Sequence, residues 1–243
     1  MEYKEETENI RKLYNNSKNT WPENDPWHTT TKLYLKHKVE NLLSDKCSSS
    51  MKILNAGAGG TTYNLNGEFY DCDIAENTLS HSAHPIVSSI EKIPCPNEFF
   101  DISICVGSVI NYCDATLAIA ELSRTLKVCG WLVLEFERSD SAEFLFTKFH
   151  HQSSFQKDYY YNEQTHRLWL YSEKYIIKAL QAENLNIVNI HRYHSLSSLV
   201  YRLTHNENVS AKYISGDIAV SPLSYHLAHN GILVCQKSTT SYI

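Results

Sequence analysis

"ILNAGAGGTTYNLNGEFYDCDIAENTL", residues 53–79, sets three glycines within four positions directly after a short apolar run, and reaches Asp73 at the end of a second run. Gly57, Gly59 and Gly60 carry no Cβ, so the turn can take positive φ and bring backbone N–H groups against a ligand. In an open α/β sheet, ligands bind beyond the carboxyl ends of the strands, which is where this turn falls. An acidic residue ending the second strand is placed to accept hydrogen bonds from a ribose diol. Its competing role is to cap the helix opened by AENTL.

Spacing tests the nearest phosphate-binding alternatives. A P-loop requires GxxxxGK[ST], yet no Lys or Arg lies between Gly60 and Glu91 to neutralise a triphosphate. A dinucleotide fingerprint would put its third glycine at Thr62, where β-branching opposes close helix-to-strand packing. The nicotinamide-oxidoreductase reading is therefore disfavoured.

Outward from the turn, 52–56, 68–73, 101–106, 131–137, 185–193 and 231–236 read as strands, with 84–89 a weaker seventh. Several are continuously apolar, as in strands covered on both faces. Helical spacing falls between them: Leu35, Val39, Leu42 and Leu43 before the first strand, and Ile119, Leu122 and Leu126 before the fifth. Asp114 is the expected N-cap of that second helix and Gly130 its stop, and Ser172 caps a third with Ile176, Ala179 and Leu180 inward. Leu196, Leu199, Val200 and Leu203 form a stripe in the insert before the last strand. The alternation specifies α/β architecture: a Rossmann-like, seven-stranded, mostly parallel sheet with a reversed last strand and helices on both faces. We expect an N-terminal helical lid over 1–45, then a domain over 46–243 with inserts at about 138–171 and 194–230.

The 243 residues carry a formal net charge of −5 and no basic block, which argues against a nucleic-acid groove. The charged N-terminus offers no apolar signal core, and no run is long enough for a membrane span, so a soluble cytoplasmic protein is expected. Seven cysteines, isolated and without a CxxC, suit a reducing compartment and no metal site.

The ordered series ILNAGAGG, YDCDIAENTL, SSIEKIP, FFDISICVGSVINY and AELSRTLKVCGWLVLEF resembles the class I S-adenosylmethionine-dependent methyltransferases, especially the small-molecule, type 11-like branch, over about residues 50–137. The resemblance implies S-adenosylmethionine as cofactor. Ala56, Gly57 and Gly59 would line its methionine portion, Asp73 would meet the ribose, and Ile74 the adenine. Ser89, Ile90 and Glu91 would border the adenine, with Val106, Gly107 and Ser108 beneath the sulfonium. Asn55 stands where the family often has an acidic residue, and Val128-Cys129 replace the Pro-Gly usual before Gly130. Asn111-Tyr112 lacks both prolines of the amino-methylating nucleic-acid motif, so a base-flipping enzyme is not expected.

If the acceptor is a hydroxyl or an ammonium, a base must take its proton. The candidates are His150 and His151 after the fifth strand and His28 in the cluster WPENDPWH; Trp27, Asn111, Tyr112 and Tyr160 are candidate acceptor contacts. Three readings stay open: methyl transfer to a small molecule or short peptide side chain, transfer of the aminocarboxypropyl arm, and a non-catalytic partner protein.

Overall fold

The computed structural model describes residues 2–16, 21, 25–150, 152–161, 164–214 and 226–239. Nine strands are assigned there: β1 Lys52–Ala56, β2 Glu68–Asp73, β3 Pro85–Val87, β4 Phe100–Cys105, β5 Leu126–Glu137, β6 Ser154–Tyr161, β7 Gln164–Tyr171, β8 Leu185–Tyr193 and β9 Asn230–Lys237. Six helices accompany them: α1 Glu2–Asn16, α2 Pro26–Leu43, α3 Ala115–Thr125, α4 Glu173–Ala182, α5 Leu196–Thr204 and α6 Glu207–Ala211.

Seven strands form one sheet in the order β3-β2-β1-β4-β5-β9-β8. β1 pairs in parallel with both β2 and β4, so the strand order reverses at β1 and opens a crevice at the carboxyl ends of β1 and β4. β9 runs antiparallel to both β5 and β8, which is the reversed last strand.

Alternation sorts side chains between the two faces. Leu132, Leu134 and Phe136 point into a core closed by α3 and α4 through Ile119, Leu122, Ile176 and Leu180. Val133, with Ile53, Ile102 and Ile104, points to the other face, where α2 lays Leu35, Val39 and Leu43. These three α2 residues are almost wholly buried. Asp114 caps α3 and Ser172 caps α4, each accepting a backbone N–H from the first turn. No helix of the described residues is long and apolar enough to cross a membrane.

Three features differ from the sequence reading. α3 stops at Thr125 rather than near Gly130, because Leu126 turns extended (ψ 134°) and starts β5. Gly130 serves the sheet instead: a Cβ there would lie 2.9 Å from the Asp101 carbonyl of β4, beside the register shift between Phe100 and Ile102. The α5 stripe faces outward, with Leu203 75% exposed, while Ser197 and Ser198 are the buried side. Within 138–171, β6 and β7 form a separate hairpin, pairing Phe155 with Leu170 and Lys157 with Leu168.

Candidate functional site

The glycine turn leaves β1 with φ of +70° at Gly57, +51° at Gly59 and +74° at Gly60. Gly57 N and Ala58 N both donate to the Cys72 carbonyl, at 2.8 and 3.0 Å, which fixes the turn to the end of β2. A Cβ on Gly57 would fall 2.3 Å from a Val109 methyl, so glycine is required there for contact as well as for φ. Asn55, buried at 3% exposure, donates to Thr61 O at 3.0 Å and to Asp71 Oδ1 at 2.8 Å. Its amide thus closes the far end of the loop onto β2.

Asp73 faces the same turn. Its Oδ2 accepts the Gly59 N–H at 2.8 Å and its Oδ1 accepts the Ala75 N–H at 2.9 Å. Burial pushes its carboxyl above the usual range, and these N–H donors oppose the shift. Each oxygen keeps acceptor capacity for a further donor.

A cleft opens over this turn. Gly57, Gly59, Asp73 and Ile74 form its floor, Ser89, Ile90 and Glu91 one wall, and Val106 and Gly107 the other. The sequence-derived cofactor set therefore converges, except that Ala56 is buried in β1 and Ser108 faces the neighbouring chamber. Glu91 accepts the Asp114 N–H at 2.7 Å, tying this wall to the start of α3. Lys32 and Lys36 of α2 also line the cleft; their spacing within a helix gave no hint of this.

Segments from the N-terminus roof the cleft. Ile10 and Tyr14 of α1 line it, and Trp21 lies so close above Gly107 that a Cβ there would be 3.1 Å from the indole. Tyr14 Oη donates to Tyr112 Oη at 3.0 Å on one side, and Asn77 bonds Asn15 on the other. Tyr112 Oη lies 3.0 Å from His166 Nδ1, and burial pushes the His166 pKa down to about 4.

The loop after β4 rests on a buried carboxylate that the sequence reading missed. Glu135, fully buried, accepts Gly107 N at 2.9 Å and Ser108 N at 2.7 Å through one oxygen. Its other oxygen accepts Tyr193 Oη at 2.8 Å and Asn230 Nδ2 at 2.7 Å. Burial raises its pKa and the donors counter it. The available signal was Glu135 and Glu137 at i and i+2, two acids on one face of an otherwise apolar strand.

Beyond Gly107 the cleft runs into a second chamber, bounded by Trp21, Trp27, His28, Glu137, His229 and Asn230. Asp25 organises its entrance as N-cap of α2: Oδ1 accepts Trp27 N at 2.9 Å and His28 N at 3.2 Å. Its Oδ2 sits 2.6 Å from His28 Nδ1. Burial would raise the Asp25 pKa; the bonds from His28 outweigh it, and the carboxyl stays below its usual range. Trp27 stacks on His194 with centroids 4.3 Å apart. Thr31 Oγ1 donates to Trp27 O at 2.7 Å, so His194 Nε2, 2.9 Å away, is the donor to Thr31, and Nδ1 accepts from Ser197. Burial holds this His194 far below the usual histidine range, hence neutral.

On the opposite wall Glu137 Oε1 accepts Ser108 Oγ at 2.8 Å, and Oε2 lies 3.4 Å from His229 Nε2. His229 Nδ1 lies 3.3 Å from Glu143, which also pairs with Lys157. Burial alone would lower the His229 pKa, but the bond to Glu137 and the charge of Glu143 outweigh it and raise it. Burial alone would raise Glu137; His229 outweighs it, and the group is held as carboxylate.

The structure gathers Trp27, His28 and Tyr112 at this chamber and disperses the other candidates. The Asn111 amide is consumed internally, donating to Glu137 O and Trp169 O and accepting the Glu137 N–H at 2.9 Å. Tyr160, 73% exposed, lines the outer mouth. His150 lines neither the cleft nor the chamber. His151 lies outside the described residues.

Residues 54–134, which carry β1 to β5 and the walls of the cleft, match the model of a family described as a methyltransferase domain. No curated protein matches the sequence. Geranyl diphosphate C-methyltransferase from Streptomyces coelicolor A3(2), solved with Mg2+, geranyl diphosphate and S-adenosyl-L-homocysteine, is similar at 13% identity and a TM-score of 0.58, over 96% of this chain and 98% of that one. A SAM-dependent methyltransferase from Methanosarcina mazei gives 12% identity and 0.53, over 81% and 97%. The [4+2]-cyclase SpnF gives 15% and 0.54, over 90% and 86%. At these identities the structural likeness speaks to the fold, and the domain match falls on the strands that build the cleft. Residues 54–134 thus match a methyltransferase domain, and the sheet around them has the Rossmann-like, seven-stranded fold of the methyltransferases compared.

Proposed function

We propose that the protein transfers the methyl group of S-adenosylmethionine to a small molecule held in the chamber beyond Gly107, with His28 taking the acceptor's proton. The observation that carries this is the Asp25–His28 pair, 2.6 Å apart, at a chamber that shares the Trp21, Gly107 and Tyr112 walls of the cofactor cleft.

The cleft suits this cofactor in its donor set. Asp73 offers a carboxylate to a ribose diol, Ile74 and Ile90 offer apolar surface to an adenine, and the glycine turn gathers no cluster of cations such as a phosphate would need. Lys32 lines the α2 side, where it can meet a carboxylate such as the methionine end bears, while Lys36 is engaged by Glu40 and the Thr62 carbonyl. The cofactor, when bound, supplies an electrophilic methyl on a cationic sulfonium.

The protein's own part is alignment and proton handling. Glu135 fixes Gly107 and Ser108 through two N–H bonds, so the floor between cleft and chamber does not shift as the acceptor approaches. Such positioning is worth up to about 7–11 kcal/mol in favourable cases. Asp25 holds the Nδ1 proton of His28, which makes Nε2 the basic nitrogen of that ring. α1, tied across the cleft by Tyr14 and Asn15, acts as the moving part of an N-terminal lid that admits cofactor and then excludes water. The SpnF likeness shows that this fold also supports ring-forming chemistry, so fold alone does not choose the reaction.

Incubation with methyl-labelled S-adenosylmethionine and a small-molecule acceptor library tests the reading. Label is expected to enter a product heavier than its acceptor by one CH2, with S-adenosylhomocysteine formed one for one. A product carrying the aminocarboxypropyl arm would replace it with the alternative transfer, and cofactor binding with no acceptor turnover would favour a non-catalytic partner.

A further inference from the structure

Asn230 makes a demand on whatever enters the chamber. It is 4% exposed, it lines the chamber, and its Nδ2 donates to Glu135 at 2.7 Å. Its Oδ1 is buried and has no hydrogen-bond partner among the described residues. The amide cannot be turned round to relieve this, because Oδ1 would then face the Glu135 carboxylate, an acceptor against an acceptor. Glu135 therefore fixes Asn230 with a carbonyl oxygen that calls for a donor.

Glu137 adds a second acceptor on the same wall. Held as carboxylate beside His229, it receives one proton from Ser108 Oγ and keeps lone pairs for others. The surrounding charge has the same sign. Asp25, Glu135, Glu137 and Glu143 stand against His229 and Lys157, with His28 committed to receiving a proton, and the Asp158–Arg167 pair at the outer mouth cancels itself. Trp21 and Trp27 supply aromatic surface, which attracts cations. An anionic acceptor would meet carboxylates and a carbonyl, with the His229 ring and the Lys157 ammonium already paired.

We propose, building on the methyl-transfer reading, that the acceptor is a primary amine entering as its ammonium, selected by Asn230 Oδ1 and Glu137. Proton counting separates amines from alcohols. A primary ammonium that yields one proton to His28 retains two N–H groups, one for Asn230 and one for Glu137, while its freed lone pair forms the N–CH3 bond. The methyl's bond to sulfur breaks with its electron pair left on sulfur, so the donor becomes a neutral thioether and the product a secondary ammonium. A hydroxyl that yields its one proton has none left to donate. It would become an oxyanion facing two acceptors, an arrangement the wall opposes.

Three probes of like shape test this on the full chain: 2-phenylethylamine, 2-phenylethanol and 3-phenylpropanoate. Each is titrated by calorimetry into protein saturated with S-adenosylhomocysteine, and each is offered with labelled S-adenosylmethionine. The amine is expected to bind and to give the N-methyl product, and the alcohol and carboxylate to do neither. Glu137→Gln keeps shape and Ser108 contact, and is expected to raise KM for the amine about tenfold or more, the weight of a lost charge-assisted hydrogen bond, with S-adenosylhomocysteine affinity unchanged. Binding of S-adenosylhomocysteine without the amine, preference for the alcohol or the carboxylate, or an unchanged KM in Glu137→Gln would overturn the assignment alone. Failure of S-adenosylhomocysteine to bind would overturn the cofactor reading beneath it, and this inference with it.

Discussion

His28→Gln is expected to lower kcat by about 10²- to 10⁴-fold, the range that general-base catalysis spans. The expectation rests on a division of labour within Asp25. One carboxylate oxygen caps α2 through the backbone N–H groups of Trp27 and His28, and the other fixes the His28 ring. Glutamine retains the backbone N–H, so the cap and the seating of α2 survive while the titratable ring is lost. His28 bounds the chamber and not the cleft, so cofactor affinity should stay as in the wild type. Steady-state rates beside calorimetric cofactor affinity make the check. A variant that binds cofactor normally and retains wild-type kcat would remove His28 from the reaction.

Asp73→Ala is expected to weaken S-adenosylmethionine binding by about 1–3 kcal/mol, which is about 5- to 150-fold in Kd. Two losses contribute. The ribose diol loses its carboxylate acceptor, and the glycine turn loses the Gly59 N–H anchor that sets its distance from β2. Asp73 also accepts the Ala75 N–H, ahead of the 3-10 turn Glu76–Leu79, but that turn has no side-chain cap, so the capping role foreseen as a rival to ligand binding is not the one Asp73 plays. Thermal melts establish that the variant is folded. Unchanged affinity in folded protein would exclude Asp73 from the cofactor site.

Where the sequence was legible, one physical cause recurs: a strand covered on both faces must be apolar throughout. Ile53, Leu54, Ile102, Ile104 and Leu132 to Leu134 are wholly buried, and their runs placed β1, β4 and β5 within a few residues. The cleft over the glycine turn was legible for a related reason. Gly57, Asp73, Glu91 and Gly107 each sit just beyond a strand or capping a turn, so local sequence order follows spatial order around the crevice.

The chamber was far less legible. Asp25, Glu137, Glu143, His229 and Asn230 come from α2, β5, the loop after it and β9, and only the reversed pairing of β9 with β5 brings Asn230 opposite Glu137. No spacing rule spans that distance. The hairpin of β6 and β7 escaped for another reason: in FQKDYYY, Lys157 shares a face with Phe155 and Tyr159, which blurs the period of two. At 126–130 the apolar spacing continued past the true end of α3, and only close packing at Gly130 against β4 shows that the chain is already in strand.

The central claim is that the glycine turn, Asp73 and the loop on Glu135 form a site for S-adenosylmethionine. Calorimetric titration of the purified chain with S-adenosylmethionine, S-adenosylhomocysteine and, as control, NADH tests it most directly. The account predicts saturable one-to-one binding of the first two and none of the third. Folded protein that binds neither S-adenosyl compound, or that binds NADH in their place, would contradict it.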